Sequence, residues 1–208
     1  IEEILPPQAE QLEQLRRELL DLFRSWGYEL IFPPFIEFLD SLLTGTGKDL
    51  DLQTFKLTDQ TSGRLMGVRA DITPQAARID AHQLKRDVPT RLCYLGTSLR
   101  TRSDGFGRSR APIQVGAELF GHHGIESDCE VLCLMMAMLS LAGVEDIHLD
   151  LGHVGIFRGL SRHAGLDQRQ DKALFEALQR KAIPDIEVLL AALEVAGAAR
   201  GRRAALAE

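Results

Sequence analysis

RLCYLGTSLRTRSDGFGRSRAPIQVGAELFG, residues 91–121, holds two strand-like runs, 91–102 and 110–120, around a loop rich in glycine and arginine. Side chains alternate between the faces of a strand, so parity sorts them. Tyr94, Gly96, Ser98, Arg100 and Arg102 share one face of the first run, and Leu95, Thr97 and Leu99 take the other. On the second run Gln114, Gly116 and Glu118 line up, opposed by Ile113, Val115, Ala117 and Leu119. The apolar set is expected to pack on helices. The polar set carries a glycine midway, which predicts a ligand lying against the sheet. Arg91, Arg100, Arg102, Arg108 and Arg110 meet a single acid, Asp104, within residues 91–110, so the hairpin reads as locally basic and suited to an anion. The plainer alternative is a solvated sheet face with surface arginines.

Outward from the hairpin, helices and further short strands alternate without the regular βαβ rhythm of a parallel sheet. Leu12, Leu15, Leu19, Leu22, Phe23 and Trp26 form a stripe at helical spacing over 8–26, entered at Pro6 and Pro7 and ended by Gly27. Tyr28 to Phe32 reads as a short strand stopped by Pro33 and Pro34. A loop is expected over 44–53, and runs 54–58 and 64–69 predict a second hairpin around the polar turn Asp59–Gly63. Thr73-Pro74 predicts a threonine-capped helix reaching about Asp87. A helix over 127–142, a strand over 146–151 and Ala/Leu/Arg-rich helical patterns complete the chain. The fold class is therefore α+β, built on antiparallel hairpins. A composition shift near residue 165 separates a core, 1–165, from a helical segment, 166–208.

Composition is that of an ordinary soluble globular protein. The 208 residues are 45% hydrophobic and 26% charged, and the net charge of −6 argues against broad nucleic-acid binding. Cys93, Cys129 and Cys133 show no CxxC spacing, and all three are expected to be buried, reduced thiols in a cytoplasmic protein. The sequence shows no apolar run of membrane-spanning length and no signal-peptide pattern, so no membrane role is expected. GTGKD at 45–49 fails as a phosphate-binding loop, because Leu42 and Asp49 stand where glycine and Ser/Thr are required. His122, His123, His148 and His153 lack metal-site spacing, so no metal and no cofactor is expected.

A second polar group lies in GVRADITPQAARIDA, where Asp71 and Thr73 stand at a strand–helix junction near the positive end of a helix dipole. They serve either as helix caps or as acceptors for an ammonium group.

Together these stretches resemble the class II synthetase core shared by histidyl-tRNA synthetase and its non-catalytic paralogue, the ATP phosphoribosyltransferase regulatory subunit. WGYELIFPPFIEF, around Pro34, is similar to the first class II motif, and VRADIT resembles the amino-acid-binding segment. LRTRSDGFGRSRAPIQVGAELFG is similar to the second class II motif, continuing into a Gln-x-Gly-x-Glu signature. The similarity covers about residues 5–165. LLTGTGKDLDLQTFKL, RADITPQAARIDAH and LDLGHVGIFRGL look closer to the regulatory paralogue.

The resemblance implies a class II synthetase-like antiparallel sheet flanked by helices, with a helical C-terminal portion and a dimer formed through the segment around Pro34. It implies that Asp71 and Thr73 receive the α-amino group of L-histidine, Gln114 holds its backbone end and Glu118 accepts from the imidazole. Arg100 matches the arginine that contacts phosphate and carboxylate in the synthetases. Two residues later the synthetases place a glutamate for the adenine amino group; Arg102 stands here and offers no acceptor. The implied protein is a non-catalytic regulatory subunit that activates a catalytic ATP phosphoribosyltransferase subunit and confers feedback by histidine, without a role for tRNA. The alternatives are an active histidyl-tRNA synthetase and a stand-alone amino-acid-binding or RNA-binding module. The family's second histidine motif and third class II motif are not found, so the chain is expected to be part of a longer protein and to supply one wall of the pocket.

Overall fold

Gln8–Ser25 forms α1, whose apolar stripe buries Leu19 and Phe23. Its end is set by Gly27, which adopts φ +82°. The Gly27 amide donates to Arg24 O at 3.0 Å and the Tyr28 amide to Phe23 O at 3.0 Å, closing the last turn with the paired bonds that a left-handed residue permits. The computed structural model describes residues 3–44, 48–102 and 109–193 and divides the chain into two compact units, the first ending at Ile147 and the second starting at His148.

Two three-stranded sheets organise the first unit. One has the order β1 (Glu29–Leu30), β5 (Thr90–Thr97), β6 (Ile113–Phe120); β1 runs parallel to β5, and β5 runs antiparallel to β6. The other has the order β2 (Ile36–Phe38), β4 (Leu65–Val68), β3 (Phe55–Thr58), all antiparallel. The hairpin parity is realised: Tyr94 faces Gly116 across the ladder, Gly96 faces Gln114 and Leu92 faces Glu118. Val115 and Ala117 turn to the opposite side, where they pack against a core of Phe23, Tyr28, Cys93 and Leu134. The ladder proper is shorter than the runs 91–102 and 110–120, but the Ser98 amide still reaches Pro112 O at 3.0 Å and the Arg100 amide Arg110 O at 2.8 Å. Residues 103–108 of the arginine-rich loop, with Asp104 and Arg108, lie outside the described residues.

Several expectations need correction. Residues 48–53, expected as loop, form the short helix α3 (Lys48–Gln53), following α2 (Leu39–Leu42). The helix starting at Thr73 is α4 (Thr73–Ile79); it continues as a single wide turn, Asp80–Leu84, and stops at Lys85 in the left-handed conformation, short of Asp87. Ile72, not Thr73, occupies the capping position, and no side-chain cap bond forms there. After α5 (Ile125–Leu141), residues 144–153 have no regular structure, although a strand is expected over 146–151. A strand persists only where a neighbour accepts its ladder bonds, and among the described residues none does. The second unit holds α6 (Val154–His163), α7 (Gln168–Gln179) and a helical stretch at 183–193, so the expected boundary at 165 falls between two of its helices.

Cys93 is buried, but Cys129 and Cys133 are exposed on α5. Residues 131–139 of the helix are apolar throughout, and its main neighbours among the described residues, α1 and β6, leave the two cysteines uncovered. Four residues' spacing puts both cysteines on the uncovered side.

Candidate functional site

The polar face of the β5–β6 hairpin meets the junction between β4 and α4. The Arg69 amide donates to Phe35 O at 3.1 Å, and Arg69 O accepts from the Leu99 amide at 2.9 Å, so residues 69–72 are tied to the ends of both sheets. The Arg69 side chain, 7% exposed, strengthens this junction: Nε donates to Thr97 O at 2.9 Å and Nη1 to Pro33 O at 2.8 Å. Burial lowers its pKa from the ordinary arginine value.

Gln114 organises the next layer. Its Oε1 accepts from Ser98 Oγ at 2.7 Å and from the Ile72 amide at 3.1 Å, which sets the orientation of the side-chain amide. Its Nε2 then donates to Asp71 Oδ1 at 2.6 Å, and the same oxygen accepts from the Thr73 amide at 3.0 Å. Asp71 therefore stabilises the start of α4 through the Thr73 N–H, and the Thr73 hydroxyl is spared for another partner.

That partner is Tyr94. Its hydroxyl lies 2.8 Å from Thr73 Oγ1 and donates to Glu118 Oε1 at 2.9 Å. A carboxylate only accepts and a phenol has one proton, so the proton order runs from Thr73 to Tyr94 to Glu118. Burial pushes the Tyr94 hydroxyl above its usual pKa, and the neighbouring Glu118 charge adds to the shift; both keep that proton in place.

Asp71, Thr73, Gln114 and Glu118 are thus gathered along one surface. Arg100 borders it, half-buried, with Nε 3.4 Å from Ala70 O. The surface is rich in acceptors, the chemistry required for an ammonium group and a ring N–H. Arg102 is exposed at the outer end of the hairpin. Tyr94, Ser98 and Arg69 carry the arrangement without having been assigned roles from sequence. The available signal is parity for the first two, and a tyrosine placed directly across from a glycine.

Two expectations about the hairpin change. A Cβ on Gly96 would run into Arg69 Nη2, and one on Gly116 would run into the ring and hydroxyl of Tyr94. Both glycines therefore make room for the protein's own side chains, in place of the ligand expected against Gly96. The arginines are also less available than a count implies. Arg91 forms a two-pronged pair with Glu130 of α5, at 2.6 and 2.7 Å, and Arg110 donates to Arg100 O at 3.1 Å while lying 5.0 Å over the Phe55 ring. Among the described residues, no group of three or more His, Cys, Asp or Glu side chains is placed to hold a metal ion. No helix among them is long and apolar enough to cross a membrane.

A hairpin of this kind, with its parallel neighbour β1, flanking helices and acceptor-lined face, defines a class II synthetase-like α+β protein. Solved structures share the fold. A Bacillus halodurans protein described as an ATP phosphoribosyltransferase regulatory subunit/histidyl-tRNA synthetase superposes with a TM-score of 0.79 at 28% identity, over 89% of this chain and 48% of that one. The apo histidyl-tRNA synthetase of S. aureus superposes with a TM-score of 0.55 at 22% identity, over 67% of this chain and 33% of that one. The family model for histidyl-tRNA synthetase matches residues 1–208, and the chain belongs to that family. Within it, the chain is 67% identical over 190 residues to a protein of Alkalilimnicola ehrlichii and 62% identical over 208 residues to one of Thioalkalivibrio sulfidiphilus. Both are named ATP phosphoribosyltransferase regulatory subunit; the matches cover 91% and 100% of this chain but 47% and 53% of theirs. The chain spans about half the length of these curated relatives.

Proposed function

We propose that this chain is part of a regulatory subunit of ATP phosphoribosyltransferase, acting in the first step of histidine biosynthesis, and that it supplies one wall of a histidine-sensing site. The identity of 62–67% with relatives of that name, over nearly the whole chain, carries the reading. The protein itself would be non-catalytic; a separate catalytic subunit would join ATP to phosphoribosyl pyrophosphate. Asp71 and Thr73 would take the α-amino group of histidine, Gln114 and Arg100 its carboxylate end, and Glu118 the imidazole N–H. The intact hydrogen-bond network under these residues supports the amino-acid half of the old synthetase pocket. Arg102, a donor where an adenine amino group would need an acceptor, speaks against the ATP half.

Feedback requires histidine to bind the two states of the assembly unequally, since equal affinity shifts nothing. Self-association through the segment around Pro34 belongs to the same proposal, and Phe32, Phe35 and Ile36 are exposed there at 79%, 41% and 42%. The test is calorimetric titration of the full-length protein with L-histidine. Glu118→Ala should weaken binding by roughly tenfold or more, the cost of leaving one charge-assisted bond unmade. Unchanged affinity would mean that histidine binds elsewhere. Histidine-dependent ATP–pyrophosphate exchange by the wild-type protein would instead support a working synthetase.

A further inference from the structure

Resting on the histidine-site reading, we infer that Tyr94 is a positioning residue that fixes the donor and acceptor polarity of the pocket. The geometry is that of a relay. Its hydroxyl sits between Thr73 Oγ1 at 2.8 Å and Glu118 Oε1 at 2.9 Å, and its ring fills the space that Gly116 leaves on the opposite strand. Tyr94 is 2% exposed, so its hydroxyl has little access to water as an alternative partner.

The single phenolic proton goes to Glu118, which obliges Thr73 to donate its own proton to Tyr94. Thr73 is then left with lone pairs alone to offer, as an incoming ammonium requires. At the other end, Glu118 has one oxygen held by Tyr94 and keeps Oε2 as an acceptor; among the described residues no other hydrogen bond reaches it. The carboxylate plane is thereby fixed, so an imidazole is received with its N–H toward Glu118. Tyr94 would therefore select one ring tautomer of bound histidine without touching the ligand. Gly116 is part of the device, because any larger residue would displace the ring.

Tyr94→Phe keeps the ring and removes the relay. The experiment uses the full-length protein, L-histidine labelled with 15N in the imidazole, calorimetry for affinity, and the ring 15N shifts for the tautomer. Wild type should show the bound ring in one tautomer. Tyr94→Phe should bind about tenfold more weakly, with ring shifts moved toward the averaged values of free histidine. In a Glu118→Gln background the same change should have little further effect, because the acceptor that Tyr94 orients is already altered. Gly116→Ala retains the hydroxyl but displaces it, and should reproduce the Tyr94→Phe result if that variant does not fold. Wild type that binds histidine, with Tyr94→Phe equal to it in affinity and ring shifts, would overturn the inference and leave the site reading standing. Wild type that does not bind histidine would overturn both.

Discussion

Gly96→Ala should destabilise the protein through Arg69. The added methyl would meet Arg69 Nη2, and the guanidinium cannot swing aside freely, because Nε and Nη1 are engaged with Thr97 O at 2.9 Å and Pro33 O at 2.8 Å. Bonds to a charged group are worth about 1.5–3 kcal/mol each. Losing both costs roughly 3–6 kcal/mol, since Arg69 is 7% exposed and water cannot simply replace its partners. Alanine in place of glycine within a strand returns about 0.5–1 kcal/mol. With some relaxation of the junction, the net loss should be about 2–4 kcal/mol. Urea unfolding of the wild-type and variant proteins measures it directly. In an Arg69→Met background the obstacle is gone, and the same change should cost under about 0.5 kcal/mol, as an uncoupled substitution does. A Gly96→Ala protein of wild-type stability that no longer binds histidine would refute this reasoning and restore the view that the glycine leaves room for a ligand.

Two further outcomes test the packing around the site. Glu130 accepts from both Arg91 and Tyr28, and the Arg91 bond holds its carboxyl below the usual range. A lowered folded-state pKa contributes stability above the unfolded value of about 4.3, lost as pH falls through the folded value. Glu130→Gln should therefore cost about 1 kcal/mol at neutral pH, a figure discounted for partial exposure, with the gap to wild type closing below about pH 4. Urea midpoints across pH 3–8 would check this; a gap that does not vary with pH would exclude the ion pair as its source. Burial pushes the Cys93 thiol up to about 11, whereas Cys129 and Cys133 are exposed. Iodoacetamide at pH 8 should modify the latter two and spare Cys93 in the folded protein, as peptide mass spectrometry can show.

The elements that were legible in the sequence depend on local pattern. The stripe from Leu12 to Trp26 specifies α1, and Gly27 supplies the left-handed residue that ends it. Parity in residues 91–120 places Tyr94, Gln114 and Glu118 on one face because the ladder register keeps period two over its whole length. What escaped depends on contacts between distant segments. That Gly96 accommodates Arg69 follows from a side chain 27 positions earlier crossing beneath the hairpin. Residues 146–151 alternate as a strand should, yet alternation cannot provide the neighbouring strand. The exposure of Cys129 and Cys133 is hard to read because residues 131–139 of α5 are apolar throughout; the one hint is that Glu126 and Glu130 stand at helical spacing beside both cysteines. The position of Asp71 at a strand–helix junction is legible from Thr73-Pro74 just after it, whereas its fixed orientation comes from Gln114, 43 residues later.

The regulatory role is tested most directly by mixing the full-length protein with a short catalytic ATP phosphoribosyltransferase and following phosphoribosyl-ATP formation with and without added L-histidine. Activity that rises well above that of the catalytic subunit alone, and falls again with histidine, is the expected result. No stimulation by a well-folded protein, at concentrations where the two subunits associate, would contradict it.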